Sequence, residues 1–239
     1  MIVKTKAIVF SAIKYSEADL IACCYTESDG VKSYLLRNIL KSKKSGLKAS
    51  YFQPLTQLDI IANHKDKGTL EYIREAKVSI PYVSLHTNIV KSSLVMFLAE
   101  MLKNCIREEE ANPMLFGFLE DSLSWLDQND GVANFHIYFL LRISHFIGFY
   151  PDASNMNLDY FNILEGNFQD SKTTEYCLQG ETVEDLKRFF NSSLYDMGSI
   201  KLSKTSRSSL LELLLSYYKL HIQGYQRPKS LSVINQIFV

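Results

Sequence analysis

Residues 3–15 alternate. The odd positions Val3, Thr5, Ala7, Val9, Ser11, Ile13 and Tyr15 carry no charge, whereas Lys4, Lys6 and Lys14 fall on even positions. A period of two predicts a half-buried β-strand. Asp19–Thr26 is a second run rich in apolar and aromatic residues. Gly30 supplies a turn, and Val31–Leu36 makes a third strand. Lys41–Lys48 reads as a polar loop around Gly46. Gln53–Ala62 and Thr69–Val78 predict two more strands, joined by a turn containing Asn63, Asp66 and Gly68.

After Pro81 the period lengthens to that of a helix. Leu94, Val95, Leu98, Met101, Leu102, Cys105 and Ile106 recur three and four residues apart. Glu108, Glu109 and Glu110 end that helix in a charged turn. Asn112 before Pro113 is a helix start, with a capping side chain and proline at the first position, and the helix should run to about Leu126. Val132–Phe149 is apolar nearly all round, which predicts a helix at the centre of a bundle, stopped by Gly148 and Pro151. Residues 150–180 are irregular, with a short hairpin expected over Tyr160–Phe168 around Glu165, Gly166 and Asn167. Thr182, Val183, Glu184 and Asp185 resemble a capping box and open a further helix. Ser206–Gln223 and Leu231–Phe238 complete the helices. The fold class is α+β. An N-terminal five-stranded barrel of the OB-fold kind is expected over residues 1–80. An α-helical domain over 81–239, with an irregular insert at about 150–180, should follow it.

Composition narrows the class. The 239 residues are 46% hydrophobic and 22% charged, which excludes a disordered or collagen-like chain. The 26 basic and 26 acidic residues cancel, an argument against a nucleic-acid partner until they are counted by segment. Met1–Ile80 holds 13 basic and 8 acidic residues, and Pro81–Val239 holds 13 and 18. Such asymmetry points to one part for a polyanion and another for something else. The longest uncharged run, Val78–Val90, is 13 residues, too short for a membrane helix. Lys4, Lys6 and Lys14 interrupt the apolar N-terminus, so no secretory signal is expected. Cys23, Cys24, Cys105 and Cys177 show no CxxC spacing, which suits free thiols in a reducing cytoplasm.

Catalytic motifs are absent from the sequence. No two glycines lie close enough for a phosphate-cradling loop, and there is no GxSxG or HExxH. His136 and His145 sit nine apart on one predicted helix, hence on opposite faces, and cannot chelate one metal. The expectation is a non-enzymatic protein with no metal and no cofactor.

The positive signal is a basic stretch. Between Asp29 and Asp59 lie Lys32, Arg37, Lys41, Lys43, Lys44 and Lys48, with no acidic residue among them. Tyr34, Tyr51 and Phe52 lie in or beside it. Phosphates attract cations along a track and unstacked bases stack on aromatic faces, so these lysines, Arg37, Tyr34 and Tyr51 are candidate DNA-binding residues. A solvated loop accounts equally for the charges, and taken alone the aromatics fit core packing better than stacking platforms. Arg142, the lone charge in the apolar helix, is either paired inside the bundle or a contact for an acidic partner. Cys23 and Cys24 alternate across a strand, so at least one should pack in the core.

Several short segments resemble one family. Tyr15, Ser16, Glu17, Ala18 and Asp19, then Tyr25, Thr26, Glu27 and Gly30, look like the second-strand signature of RecO, a bacterial recombination mediator family. Gln53, Pro54, Leu55 and Thr56 resemble its Gln-Pro-Phe strand. Phe139–Pro151 is similar to its helix ending in Leu-Gly-Tyr, and Pro228, Lys229, Ser230 and Leu231 to its C-terminal Leu-Lys-Ser segment. The order and spacing of these segments are more specific than any one of them. The resemblance implies an OB-fold followed by a helical domain. It implies binding of single- and double-stranded DNA, annealing of complementary strands, and work with RecR and the single-strand-binding protein to load RecA. A cytoplasmic, nucleoid-associated protein is then expected. An OB-fold scaffold for other proteins, without DNA binding, is the alternative. Many members carry a four-cysteine zinc site after the central helix. Residues 152–180 here contain only Cys177, so no zinc is expected.

Overall fold

A computed structural model describes residues 1–41, 46–65, 70–107 and 109–238. Five strands come first: β1 (Ile2–Lys14), β2 (Leu20–Thr26), β3 (Gly30–Leu36), β4 (Gln57–Asn63) and β5 (Tyr72–Val78). They pair antiparallel in the order β3-β2-β1-β4-β5. Helices α1 (Ile89–Cys105) and α2 (Pro113–Gln128) follow. The chain then falls into α3 (Phe135–Phe146), a small sheet of β6 (Tyr160–Asn162), β7 (Asn167–Gln169) and β8 (Cys177–Leu178), and helices α4 (Glu181–Phe190), α5 (Lys204–His221) and α6 (Leu231–Phe238). This is the α+β layout of an OB-type sheet followed by a helical part.

The alternation in β1 is only half of its story. Ala7 and Val9 join Ala22, Cys24, Tyr34, Leu36, Leu58, Ile60, Ala62 and Ile73 in a core on one side of the sheet. Ile8 and Phe10, on the other side, are buried as well. Phe10 stacks on Tyr25 at 5.8 Å, and Tyr25 on Phe116 of α2 at 6.0 Å. The middle of β1 is therefore buried on both faces, and the lysines mark only its ends.

Two expectations for the sheet change. The barrel is not closed by a full ladder. β3 meets the start of β5 at a single parallel bridge, where Leu35 N–H donates to Glu71 O (2.9 Å) and Glu71 N–H to Ser33 O (2.8 Å). The fourth strand also starts later than Gln53. Ala49–Phe52 form a 3-10 turn, and Leu55 has φ +59°, a left-handed conformation that no strand continues through. The Asp66 and Gly68 part of the expected β4–β5 turn lies outside the described residues.

By internal contacts there are two compact units, Met1–Asp127 and Gln128–Val239. Residue 80 marks the change from strand to helix, yet α1 and α2 belong with the sheet because their apolar faces cover its outer side. Asn88 opens α1 by accepting from the N–H groups of Val90 and Lys91. Asn112 opens α2, accepting from Leu115 N–H at 3.0 Å, as its sequence predicts. Asp127 fastens the end of α2 to the segment before α1. Its carboxylate accepts from Val83, Ser84 and Leu85 N–H at 3.0, 2.8 and 2.8 Å, and its carbonyl from the buried Lys91 Nζ at 2.8 Å.

Burial alone would raise the Asp127 carboxyl, but these N–H groups and the Ser84 hydroxyl outweigh it and hold it below the usual carboxylate range. A depressed folded-state value contributes stability above the unfolded pKa of about 4 and loses it as pH falls through the folded value. Asp127→Asn is therefore expected to lower the urea midpoint at pH 7 and to narrow its difference from the unaltered protein near pH 3. An equal deficit at both pH values would show that the charge is not what the three amides need.

In the second unit α3 is buried at nine of its twelve positions, which puts it at the unit's centre as expected. Tyr218 Oη of α5 donates to Leu140 O at 2.7 Å. The hairpin expected around Gly166 forms and gains β8 as a third strand. The capping box read at Thr182 and Asp185 does not form. α4 begins two residues earlier than that cap would set it, at Glu181 after Gly180, so Thr182 already lies within its first turn. Ser193 and Asp196 make a capping box instead, on a 3-10 turn at Leu194–Asp196. His136 is fully buried, and burial followed by the charge of Arg207 pushes it down to about 3, so it stays neutral. His145 is exposed at the other side of α3. Among the described residues no group of three or more His, Cys, Asp or Glu could hold a metal ion, and no helix is long and apolar enough to cross a membrane.

Candidate nucleic-acid interface

The bridge between β3 and β5 builds the site. It sets the residue after β3, Arg37, beside the first residue of β5, Tyr72. Arg37 Nη2 donates to Tyr72 Oη at 3.2 Å, and its guanidinium lies 5.3 Å from the ring centroid. Lys65, in the β4–β5 connection, brings its ammonium to 5.5 Å from the same ring. Its backbone N–H donates to Oε1 of the buried Glu71 at 2.8 Å, which fixes where the side chain leaves the chain.

A second tie shapes the neighbouring loops. Asp19 Oδ1 accepts from Asn38 N–H at 2.7 Å, and Leu40 N–H donates to Ala18 O at 3.0 Å. These bonds hold the β1–β2 turn against the chain leaving β3. The Asn38 N–H, then the Ser16 hydroxyl, hold the Asp19 carboxyl below its ordinary value. The tied loops expose Ile13, Tyr15 and Leu40 beside Lys14 and Lys41.

The sequence-predicted residues divide. Arg37, Lys41 and Lys48 are exposed and Tyr51 is half-buried. Lys41 pairs with Glu17 at 3.0 Å, an exposed pair worth at most about 1 kcal/mol and readily exchanged for a phosphate. Lys48 stands 5.8 Å over the Tyr51 ring. Two others face inward. Tyr34 is fully buried, its hydroxyl 2.8 Å from His64 Nε2, and burial pushes its pKa well up. No ring face is left there for a base. Lys32 is only 8% exposed, and its ammonium pairs with Glu109 at 3.2 Å. Both share the inward phase of Leu36 in β3, which the period-two pattern already set. Lys43 and Lys44 lie outside the described residues. Arg142 has its fork filled within the second unit. Nη2 donates to Phe190 O (3.0 Å) and Ser192 O (2.6 Å), Nη1 to Tyr150 Oη (3.3 Å), and the group covers the Tyr138 ring.

Lys6 pairs with Glu120 of α2 at 3.0 Å, which raises the lysine's pKa, and Lys32 pairs with Glu109 just before α2. Two of the sheet lysines are thus neutralised by carboxylates of the segment that follows the sheet. Lys14, Arg37, Lys48 and Lys65 form no ion pair with a carboxylate among the described residues. Tyr72, Lys65, Lys14 and Tyr15 were missed from sequence. Tyr15 stood beside the basic Lys14 at the end of the first predicted strand, a usable signal. Nothing local links Arg37 to positions 65 and 72.

An OB-type sheet with exposed cations at its strand ends offers surface chemistry suited to phosphates. Family comparisons agree. Residues 1–82 match the family described as recombination protein O N terminal, and residues 86–231 the one described as recombination protein O C terminal. The chain is 51% identical to the DNA repair protein RecO of Christiangramia forsetii over 238 residues, covering all of both chains. It is 44% identical to that of Flavobacterium psychrophilum and 34% to that of Bacteroides fragilis, again over full length. The chain belongs to the RecO family, which places it in DNA repair and recombination.

Proposed function

We propose that this protein is a non-enzymatic recombination mediator that binds single- and double-stranded DNA and anneals complementary strands. With RecR it helps load RecA onto DNA coated by single-strand-binding protein, in the cytoplasm at the nucleoid. Residues 1–80 carry the DNA contacts, and residues 81–239 carry the protein contacts. The observation that supports this best is the set of exposed cations without carboxylate partners among the described residues at the ends of the strands: Lys14 ending β1, Arg37 after β3 and Lys65 after β4, the last two sharing the Tyr72 ring. Annealing follows when two strands are held with their phosphates neutralised and their base edges free.

A gel shift with a single-stranded oligonucleotide at low and moderate salt, followed by a fluorescent annealing assay, tests the reading. Binding should weaken steeply with salt. Lys41→Ala with Lys48→Ala should lower affinity alike for every sequence and reduce the slope of log K against log salt by about 1.4, at about 0.7 per phosphate on a single strand. No shift at any salt would favour the scaffold reading.

A further inference from the structure

We propose that Arg37, Lys65 and Tyr72 form a receptor for one unstacked nucleotide, the ring taking the base and the two cations its flanking phosphates. The inference rests on the DNA-binding reading above and deepens it at one site. Its ground is two cations held against one ring. The guanidinium at 5.3 Å and the ammonium at 5.5 Å share one half-buried tyrosine ring. Each contact alone is attractive, but the two like charges repel one another. Among the described residues the nearby carboxylates form no ion pair with either cation: Glu71 is buried, with Oε1 engaged by the Lys65 backbone N–H, and Asp19, which feels the Arg37 charge, has Oδ1 engaged by Asn38 N–H.

A phosphodiester resolves the repulsion. Lys65 is exposed on a connection and Arg37 is exposed at a strand exit, so both side chains can swing from the ring to a phosphate without moving the sheet. Their departure uncovers the ring, and an unstacked base can take their place. Tyr72 thus holds the cations while no ligand is present and serves as a stacking platform once one binds. Its position as the first residue of β5, anchored through the Glu71 bridge, keeps the ring at the sheet edge. Bases within a duplex have both faces covered by their neighbours, so the ring should contribute to single strands alone, whereas the cations act on any phosphate.

The test uses the full chain and anisotropy titrations with an oligothymidylate, the same strand made abasic, and a duplex. Tyr72→Ala is expected to weaken the oligothymidylate complex roughly 5- to 150-fold and to leave the abasic strand and the duplex unchanged. Tyr72→Phe, which keeps the ring, should bind like the unaltered protein. Lys65→Ala should reduce the salt slope by about 0.7 on both single strands, abasic included. Being exposed, that variant keeps the test valid if Tyr72→Ala unfolds. Equal losses for Tyr72→Ala on all three ligands would overturn the receptor, as would no loss on any, while leaving DNA binding intact. Failure of the unaltered protein to bind any of the three would overturn both readings.

Discussion

Arg142→Ala is expected to lower the stability of the protein by about 2–4 kcal/mol, since each hydrogen bond to a charged group contributes about 1.5–3 kcal/mol and the stranded acceptors lose their partner. The guanidinium joins three chain segments, from Tyr138 and Tyr150 to the carbonyls of Phe190 and Ser192 at the end of α4. Those carbonyls stand where a helix end leaves acceptors without intrahelical donors, and the planar fork satisfies two at once. Urea unfolding with an intact m-value measures the loss. Arg142→Lys should recover only part of it, because an ammonium cannot span both carbonyls while covering a ring. If Arg142→Ala unfolds at the same midpoint as the unaltered protein, the residue is free for the acidic partner that its sequence context allowed.

Gly166→Ala should cost about 2–4 kcal/mol, of which about 1–2 is the left-handed backbone and the rest the collision with a neighbour. Gly166 has φ +69°, and a Cβ there would stand 2.5 Å from Tyr217 Oη. That hydroxyl donates to Phe149 O at 2.6 Å, so moving aside breaks a part-buried hydrogen bond. Gly148 provides the comparison. It has φ +84° after the end of α3 but open space around it, so Gly148→Ala should show the backbone cost alone. In a Tyr217→Phe background the excess at Gly166 should disappear, and the coupling energy of the double-mutant cycle reads out the collision. Equal effects of the two glycine variants would mean that the tyrosine yields freely.

What the sequence made legible was what short stretches decide. Asn112 before Pro113 caps a helix by chemistry that needs nothing else, and the even spacing through β1, β2 and β3 placed those strands within a residue or two. The central helix declared itself by lacking a polar face. Errors arose where distant residues set local form. Leu55 looked like part of a strand, but its N–H is bound to Val9 O of β1, which holds it in a left-handed turn. Thr182 had the spacing of a cap, and the chain entered the helix from Gly180 instead. At the candidate site, composition found Arg37 but kept Tyr34 among the candidates beside the core reading, which its phase with Leu36 in β3 decides. Tyr72 and Lys65 needed the bridge from Tyr34 to Glu71, a pairing across 37 residues that no periodicity encodes.

That bridge is also a seam. Everywhere else the five strands are laced by ladders of seven or so residue pairs, but β3 and β5 are joined by two backbone hydrogen bonds and the Arg37–Tyr72 side-chain bond beside them. A single strand of DNA gripped by Arg37 on one side and by Lys65 and Tyr72 on the other would act as a stitch across it. Free energy of binding would then be shared with closure of the barrel. The ligand would complete an architecture that the polypeptide leaves ajar, and its release would let the seam reopen.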